Sequence, residues 1–94
     1  MPAYVVVNLE IKDPDRYGEY VSAAGPSVRA HGGELLAADR NNDVLEAPAR
    51  PTTVLIRFPD KAAAEAWYRS EEYQKVIHLR HESTESTLVI ADGV

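Results

Sequence analysis

Nine residues near the N-terminus, AYVVVNLEI over 3–11, narrow the possible folds more than any other stretch of the chain. Val5, Val7, Leu9 and Ile11 alternate with Tyr4, Val6, Asn8 and Glu10, the period of two that marks a β-strand. The second set is not purely polar, because Tyr4 and Val6 belong to it. A strand with apolar residues on both sides belongs in a sheet covered on two faces. The chain has only 94 residues from which to supply both covers, which is enough for a single domain spanning 1–94.

The next segment, KDPDRYGEYVSAAGPSVRAHGG, supplies a helix. Asp13 suits the N-cap, Pro14 the first helical position and Asp15 the positive end of the helix dipole. Tyr17, Tyr20, Val21, Ala24 and Val28 recur at helical spacing and form its buried stripe. Pro26 lacks a backbone donor and disfavours helix just before it. The reading is a helix over 14–24, a kink at Gly25–Pro26, a short continuation to His31, and a stop at Gly32–Gly33.

GELLAADR reads as a second strand and NND as a turn. VLEAPARPTTVLIRFP reads as a third strand interrupted early by a loop, since Pro48 and Pro51 rule out regular central pairing. Val54, Ile56 and Phe58 then share one face, Leu55 and Arg57 the other. Asp60 caps a second helix whose inner face is marked by Ala63, Ala66 and Trp67. Ser70 ends it and caps a short helix beginning EEYQKVI. Thr87–Ala91 is the last strand.

This order, β-α-β-β-α-β with right-handed crossovers, is that of an α+β fold, the ferredoxin-like plait. Its four-stranded antiparallel sheet carries both helices on one face. The other face would expose Tyr4, Val6, Asn8, Leu55 and their neighbours as one patch. A homodimer closing sheet against sheet into an α+β barrel would cover it.

Several function classes fall away on composition. There is no cysteine, so disulfides, thiolate catalysis and thiolate metal sites are excluded. The net charge of −5, with three lysines and scattered arginines, gives no basic face for phosphates. Nucleic acid and anionic membrane are therefore not expected as partners. The apolar start is too short and too interrupted to span a bilayer, and the default expectation is a cytoplasmic protein.

The blocks KDPDRYGEY, HGGELL, VLIRFPDKAAAEAWYRSEEYQKVIHLR and LVIADGV resemble the domain-of-unknown-function family numbered 1330, within the dimeric α+β-barrel superfamily. The likeness covers nearly the whole chain, with Ala47 standing where the family usually carries glycine. It implies the plait and the dimer and leaves the activity open. The haem-degrading branch of that superfamily is similar in using an Asn on the first strand, a Trp on the second long helix and a His ten residues beyond. Asn8 and Trp67 match, but Ile77 occupies the third position and His78 comes one later, about 100° around a helix. A haem site is disfavoured and no cofactor is expected. A haem-free monooxygenase whose substrate supplies the electrons remains open, with Asn8 as its polar and Trp67 as its stacking element.

The candidate ligand-binding residues are Tyr20, His31, Trp67, Tyr73 and Arg80, in a cleft between helices and sheet. Trp67 and Tyr73 read as core first and pocket wall second, and Ser70 as a cap. His31 and Tyr20 are the candidates for acid–base work, although the helix dipole gives His31 a purely structural reason to sit at a C-terminus. His78, His81, Glu82 and Glu85 have spacings a metal could use, but HESTEST leaves the helix too soon and no metal is assigned. Glu10, paired with Arg57, would orient the dimer. Two functions follow: a small homodimeric protein binding a small organic molecule, or a cofactor-independent enzyme of monooxygenase or isomerase type using the same cleft.

Overall fold

In the computed structural model, which describes residues 1–94, the alternation of the first segment becomes β1, Ala3–Ile11. Ala3, Val5, Val7 and Leu9 are buried, while Tyr4, Val6, Asn8 and Glu10 between them are only half-buried. After it come α1 (Pro14–Ala30), β2 (Glu34–Asp39), β3 (Thr52–Phe58), α2 (Lys61–Arg69), α3 (Glu71–Gln74), α4 (Ile77–Ser83) and β4 (Thr84–Asp92). The strands form one antiparallel sheet in the order β2-β3-β1-β4. That is the ferredoxin-like plait, with the helices on one face. No helix is long and apolar enough to cross a membrane.

The helix starts are built as the side chains dictate. The Asp13 carboxylate accepts the Arg16 N–H at 3.2 Å, Asp60 accepts that of Ala63 at 2.8 Å, and the Ser70 hydroxyl accepts that of Tyr73 at 3.2 Å. At the end of α1, Gly32 adopts a φ of 78°, which a residue with a side chain rarely takes. At Gly33 a Cβ would lie 2.9 Å from the Phe58 ring, so the chain turns into β2 where only glycine fits.

Five expectations need correction. The helix does not break at Gly25–Pro26, because α1 continues to Ala30 with Pro26 inside it. The restriction that proline places on its predecessor arises partly from that residue's Cβ, which Gly25 lacks. Packing of Ala24 and Ser27 in the interior then holds the helix together. The third strand begins only at Thr52, and no strand forms over 44–51. In α2 the inward residues are Ala64 and Trp67, and Ala66 is exposed. Beyond Ser70 there are two short helices, and β4 starts three residues earlier than its β-branched core suggested.

The interior lies between the helices and the sheet. It joins Val5, Val7, Leu9, Ile56 and Phe58 to Tyr17, Ala24, Trp67 and Tyr73 from the helices. On the opposite, helix-free face a row of apolar residues crosses all four strands: Ala37 pairs with Leu55, Leu55 with Val6, and Val6 with Val89. The next row along is polar, Asp39–Thr53–Asn8–Thr87.

Candidate functional site

Between α1 and the sheet lies a cavity of about 480 Å3, within the range of small-molecule pockets. Val7, Leu9, Val54 and Ile56 form its floor on the sheet, and α1 supplies Tyr17, Tyr20, Val21, Ala24 and Val28. Trp67 and Arg80 close the interior end. Leu35 and Ala38 of the exposed edge strand β2, with Arg29 and Glu34, stand at the other. All five residues of the helical stripe read from the sequence line this cavity, but Val21, expected to be buried, is exposed.

Aromatic rings run continuously through this layer. Phe58 and Trp67 have centroids 5.5 Å apart, Trp67 and Tyr73 4.2 Å, Tyr73 and Tyr20 6.2 Å, and Tyr20 and Tyr17 5.8 Å. Arg40 lies over the outer ring, its guanidinium carbon 5.4 Å from the Tyr17 centroid. The polar tips are joined too. The Tyr20 and Tyr73 hydroxyls are 2.8 Å apart, and Arg80 Nε donates to the Tyr73 hydroxyl across 3.3 Å. The Trp67 indole N–H donates to the Ser27 hydroxyl at 3.1 Å, and that hydroxyl donates to the Ala24 carbonyl at 2.6 Å.

Arg80 is only 4% exposed. Its remaining contacts are a donation to the Ser86 hydroxyl at 2.6 Å and a weak one to His81 Nε2 at 3.4 Å. Burial pushes the Tyr20 hydroxyl well above the usual tyrosine range, and the neighbouring Tyr73 adds to the effect. Burial likewise raises Tyr17, against the attraction of Arg40 and Arg80. Both phenols are thus neutral donors at ordinary pH. His81 is lowered by partial desolvation and by the Arg80 charge, which fits the acceptor role of its Nε2.

Of the five residues singled out in the sequence, Tyr20, Trp67, Tyr73 and Arg80 come together, Tyr73 behind the lining rather than on it. His31 stands apart. Its Nδ1–H donates to the Ser27 carbonyl at 2.9 Å, satisfying the last turn of α1, and it does not line the cavity. Asn8 is also elsewhere: it lies on the helix-free face of β1, opposite the side that meets Trp67. Its amide clasps the β2–β3 loop, donating to the Arg50 and Thr52 carbonyls at 3.0 and 3.1 Å and accepting the Arg50 N–H at 2.8 Å. The Asn8–Trp67 pairing suggested by the monooxygenases is thereby corrected. The Glu10–Arg57 pair is not formed within the chain either. Arg57 is opposite Tyr4, roughly 20 Å along β1 from Glu10, and Glu10 meets Lys12 at 3.6 Å.

His78 and His81 are exposed, Glu82 is held by Arg16 at 2.8 Å, and Glu85 has left the helix for β4, so no three such side chains converge. Sequence reasoning missed Tyr17 and Ser27 as site residues. The i, i+3 spacing of Tyr17 and Tyr20 was the available signal for the first. Nothing local marks Ser27, whose partner is forty residues away.

A four-stranded antiparallel plait with its helices on one face is the fold that this chain shares with the solved structures it is similar to. The chain belongs to the family described as domain of unknown function (DUF1330), which matches residues 2–94. No protein among those with curated descriptions matches it. Among solved structures it is similar to a dimeric ferredoxin-like protein of unknown function from Jannaschia sp. CCS1, at 20% identity and a TM-score of 0.80, covering 99% of this chain and 100% of that one. It is also similar to RPA0582, a protein of unknown function from Rhodopseudomonas palustris, at 18% identity and a TM-score of 0.80, covering 99% and 82%. SnoaB, a cofactor-independent oxygenase from Streptomyces nogalater, shares the fold at 6% identity and a TM-score of 0.72, covering 99% and 93%.

Proposed function

We propose that this protein is a homodimer that binds a small, largely apolar organic molecule in the cavity between α1 and the sheet. The observation that carries the reading is the cavity of about 480 Å3, walled by apolar and aromatic side chains with Tyr20 and Arg80 among them. Apolar walls with a few convergent polar groups are what ligand pockets are made of. Self-association is supported by the apolar row Ala37–Leu55–Val6–Val89 on the helix-free face and by the dimeric relative from Jannaschia. An apolar centre beside a polar row is the anatomy of an interface.

Native mass spectrometry on gently purified protein tests both parts. The expected result is twice the chain mass, with additional mass from a retained organic molecule or from one supplied. A monomer at micromolar concentration would sink the dimer. Filling the cavity with Ala24→Phe should abolish uptake of any ligand that wild type takes, and unchanged uptake would place the ligand elsewhere.

The fold shared with SnoaB supports a second reading, a cofactor-independent enzyme of monooxygenase or isomerase type in the same cavity. The chain from Arg80 through Tyr73 to Tyr20 would stabilise a developing oxyanion. Tyr20→Phe separates the readings: an enzyme loses turnover more than affinity, whereas a binder has no turnover to lose. His31→Ala serves as the control outside the cavity.

A further inference from the structure

Arg80 is a buried cation without an anion. Side chains of this kind are rarely buried unless paired, because a guanidinium taken out of water needs a close counter-charge or full hydrogen bonding to offset the loss. Here no carboxylate lies within 4.0 Å of it; the four ion pairs of the chain all join other residues. Its protein acceptors are two hydroxyls and one imidazole nitrogen, which leaves two of its five N–H groups without a partner in the chain.

The hydroxyl chain has a direction. The Tyr73 oxygen accepts from Arg80, and Tyr73 is fully buried, so its own proton has one place to go, the Tyr20 oxygen at 2.8 Å. If Tyr20 donated instead, the Tyr73 proton would be buried without an acceptor. Tyr20 therefore receives a hydrogen bond and keeps its own proton for an acceptor that the chain does not supply. Tyr17, one turn earlier, makes no hydrogen bond from its hydroxyl to the protein, and both tyrosines line the cavity beside Arg80. The interior end of the cavity thus presents donors and a positive charge, while the second lining arginine, Arg29, is exposed at the other end. Its one lining carboxylate, Glu34, sits on edge strand β2 with the exposed end of the cavity.

We infer that the ligand is an organic anion, an apolar body carrying a carboxylate that docks against Arg80 and the Tyr20 hydroxyl. The inference rests on the cavity being the ligand site and adds the ligand's chemical class. Arg80 also borders a more polar cleft on its other side, among Lys61, Tyr68, His81 and Ser86. Tyr20 borders only the inner cavity, so it tells the two locations apart.

Trp67 is the only tryptophan and lines the cavity, so its fluorescence reports entry directly. Wild type is titrated with benzoate, naphthalene-2-carboxylate and anthracene-2-carboxylate, and with the carboxamide of each. The expected result is a preference of roughly ten- to a hundredfold for the best carboxylate over its amide, the range of a charge-assisted hydrogen bond. That preference should collapse in Arg80→Met and shrink in Tyr20→Phe. If Arg80→Met does not fold, Arg80→Lys replaces it, with a reduced preference expected because the second N–H of the fork is gone.

Carboxylates and amides binding equally would overturn the anion inference and leave the cavity reading intact. Binding of neither series would remove the cavity reading and the inference with it. A preference that survives Tyr20→Phe unchanged and falls only with Arg80 would move the anion to the outer cleft and overturn the assignment made here.

Discussion

Ser27 does at residue scale what its identity does not advertise. It gives the buried Trp67 indole its acceptor and hands its own proton to the Ala24 carbonyl, with 4% and 1% exposure at the two side chains. Ser27→Ala would leave an indole N–H buried without a partner, so it should cost about 1–3 kcal/mol. Urea unfolding at neutral pH reads this directly, and a loss below a few tenths would mean that water replaces the hydroxyl. Tyr20 carries a pH signature. Its hydroxyl is raised in the folded state above the ordinary value of 10.0, chiefly by burial. Below that pH both folded and unfolded chains hold the proton and nothing changes. Above it the unfolded chain ionises first and binds fewer protons, so stability falls as pH rises. Tyr20→Phe should make that alkaline slope shallower by up to one proton. An unchanged slope would mean that the phenol ionises freely in the fold.

Among the elements, α1 has to stay intact across Pro26 for the cavity to have a wall. Pro26 is exposed and lies inside the helix, where it forfeits a backbone hydrogen bond. Pro26→Ala should therefore stabilise the protein by about 2 kcal/mol, the helix penalty of proline reduced by the extra freedom it returns to the unfolded chain. A lower midpoint in thermal unfolding would show that the ring packs or bends α1 in a way the fold needs. The same helix shows what the sequence could and could not disclose. Asp13, Asp60 and Ser70 were legible as caps because a cap acts within three residues, and β1 was legible because alternation is local. The run through Pro26 was not, since tertiary packing of Ala24 and Ser27 overrides a local preference for a break. The Asn8 clasp joins residues 42 apart in the chain, and no local pattern announces it. Arg80 was legible as a cleft residue, but its burial was not. Its burial arises from Ser86 on β4 and Tyr73 on α3, which only the closed fold brings around it.

For the whole molecule, the question is what covers the second face that the first strand demands. Val89 lies at one end of the apolar row, paired with Val6 on β1, and is 56% exposed in the single chain. A substitution at so exposed a site normally changes stability by no more than about 0.5 kcal/mol. If a second copy packs on this face, however, Val89 is buried twice in a two-fold assembly and a charge there is desolvated twice. Val89→Lys should then turn the dimer into a monomer in sedimentation velocity at micromolar concentration, while its far-ultraviolet circular dichroism stays that of a folded chain. Ala62, exposed on α2, is the matched control, because Ala62→Lys adds the same charge on the helix side of the sheet. Dimerisation unaffected by Val89→Lys would remove the helix-free face as the interface. Loss of the dimer in both variants would point to net charge rather than to the face. Loss in Val89→Lys alone would place the partner against the sheet, leaving the ligand cavity of each protomer on the outer side, under its own helices.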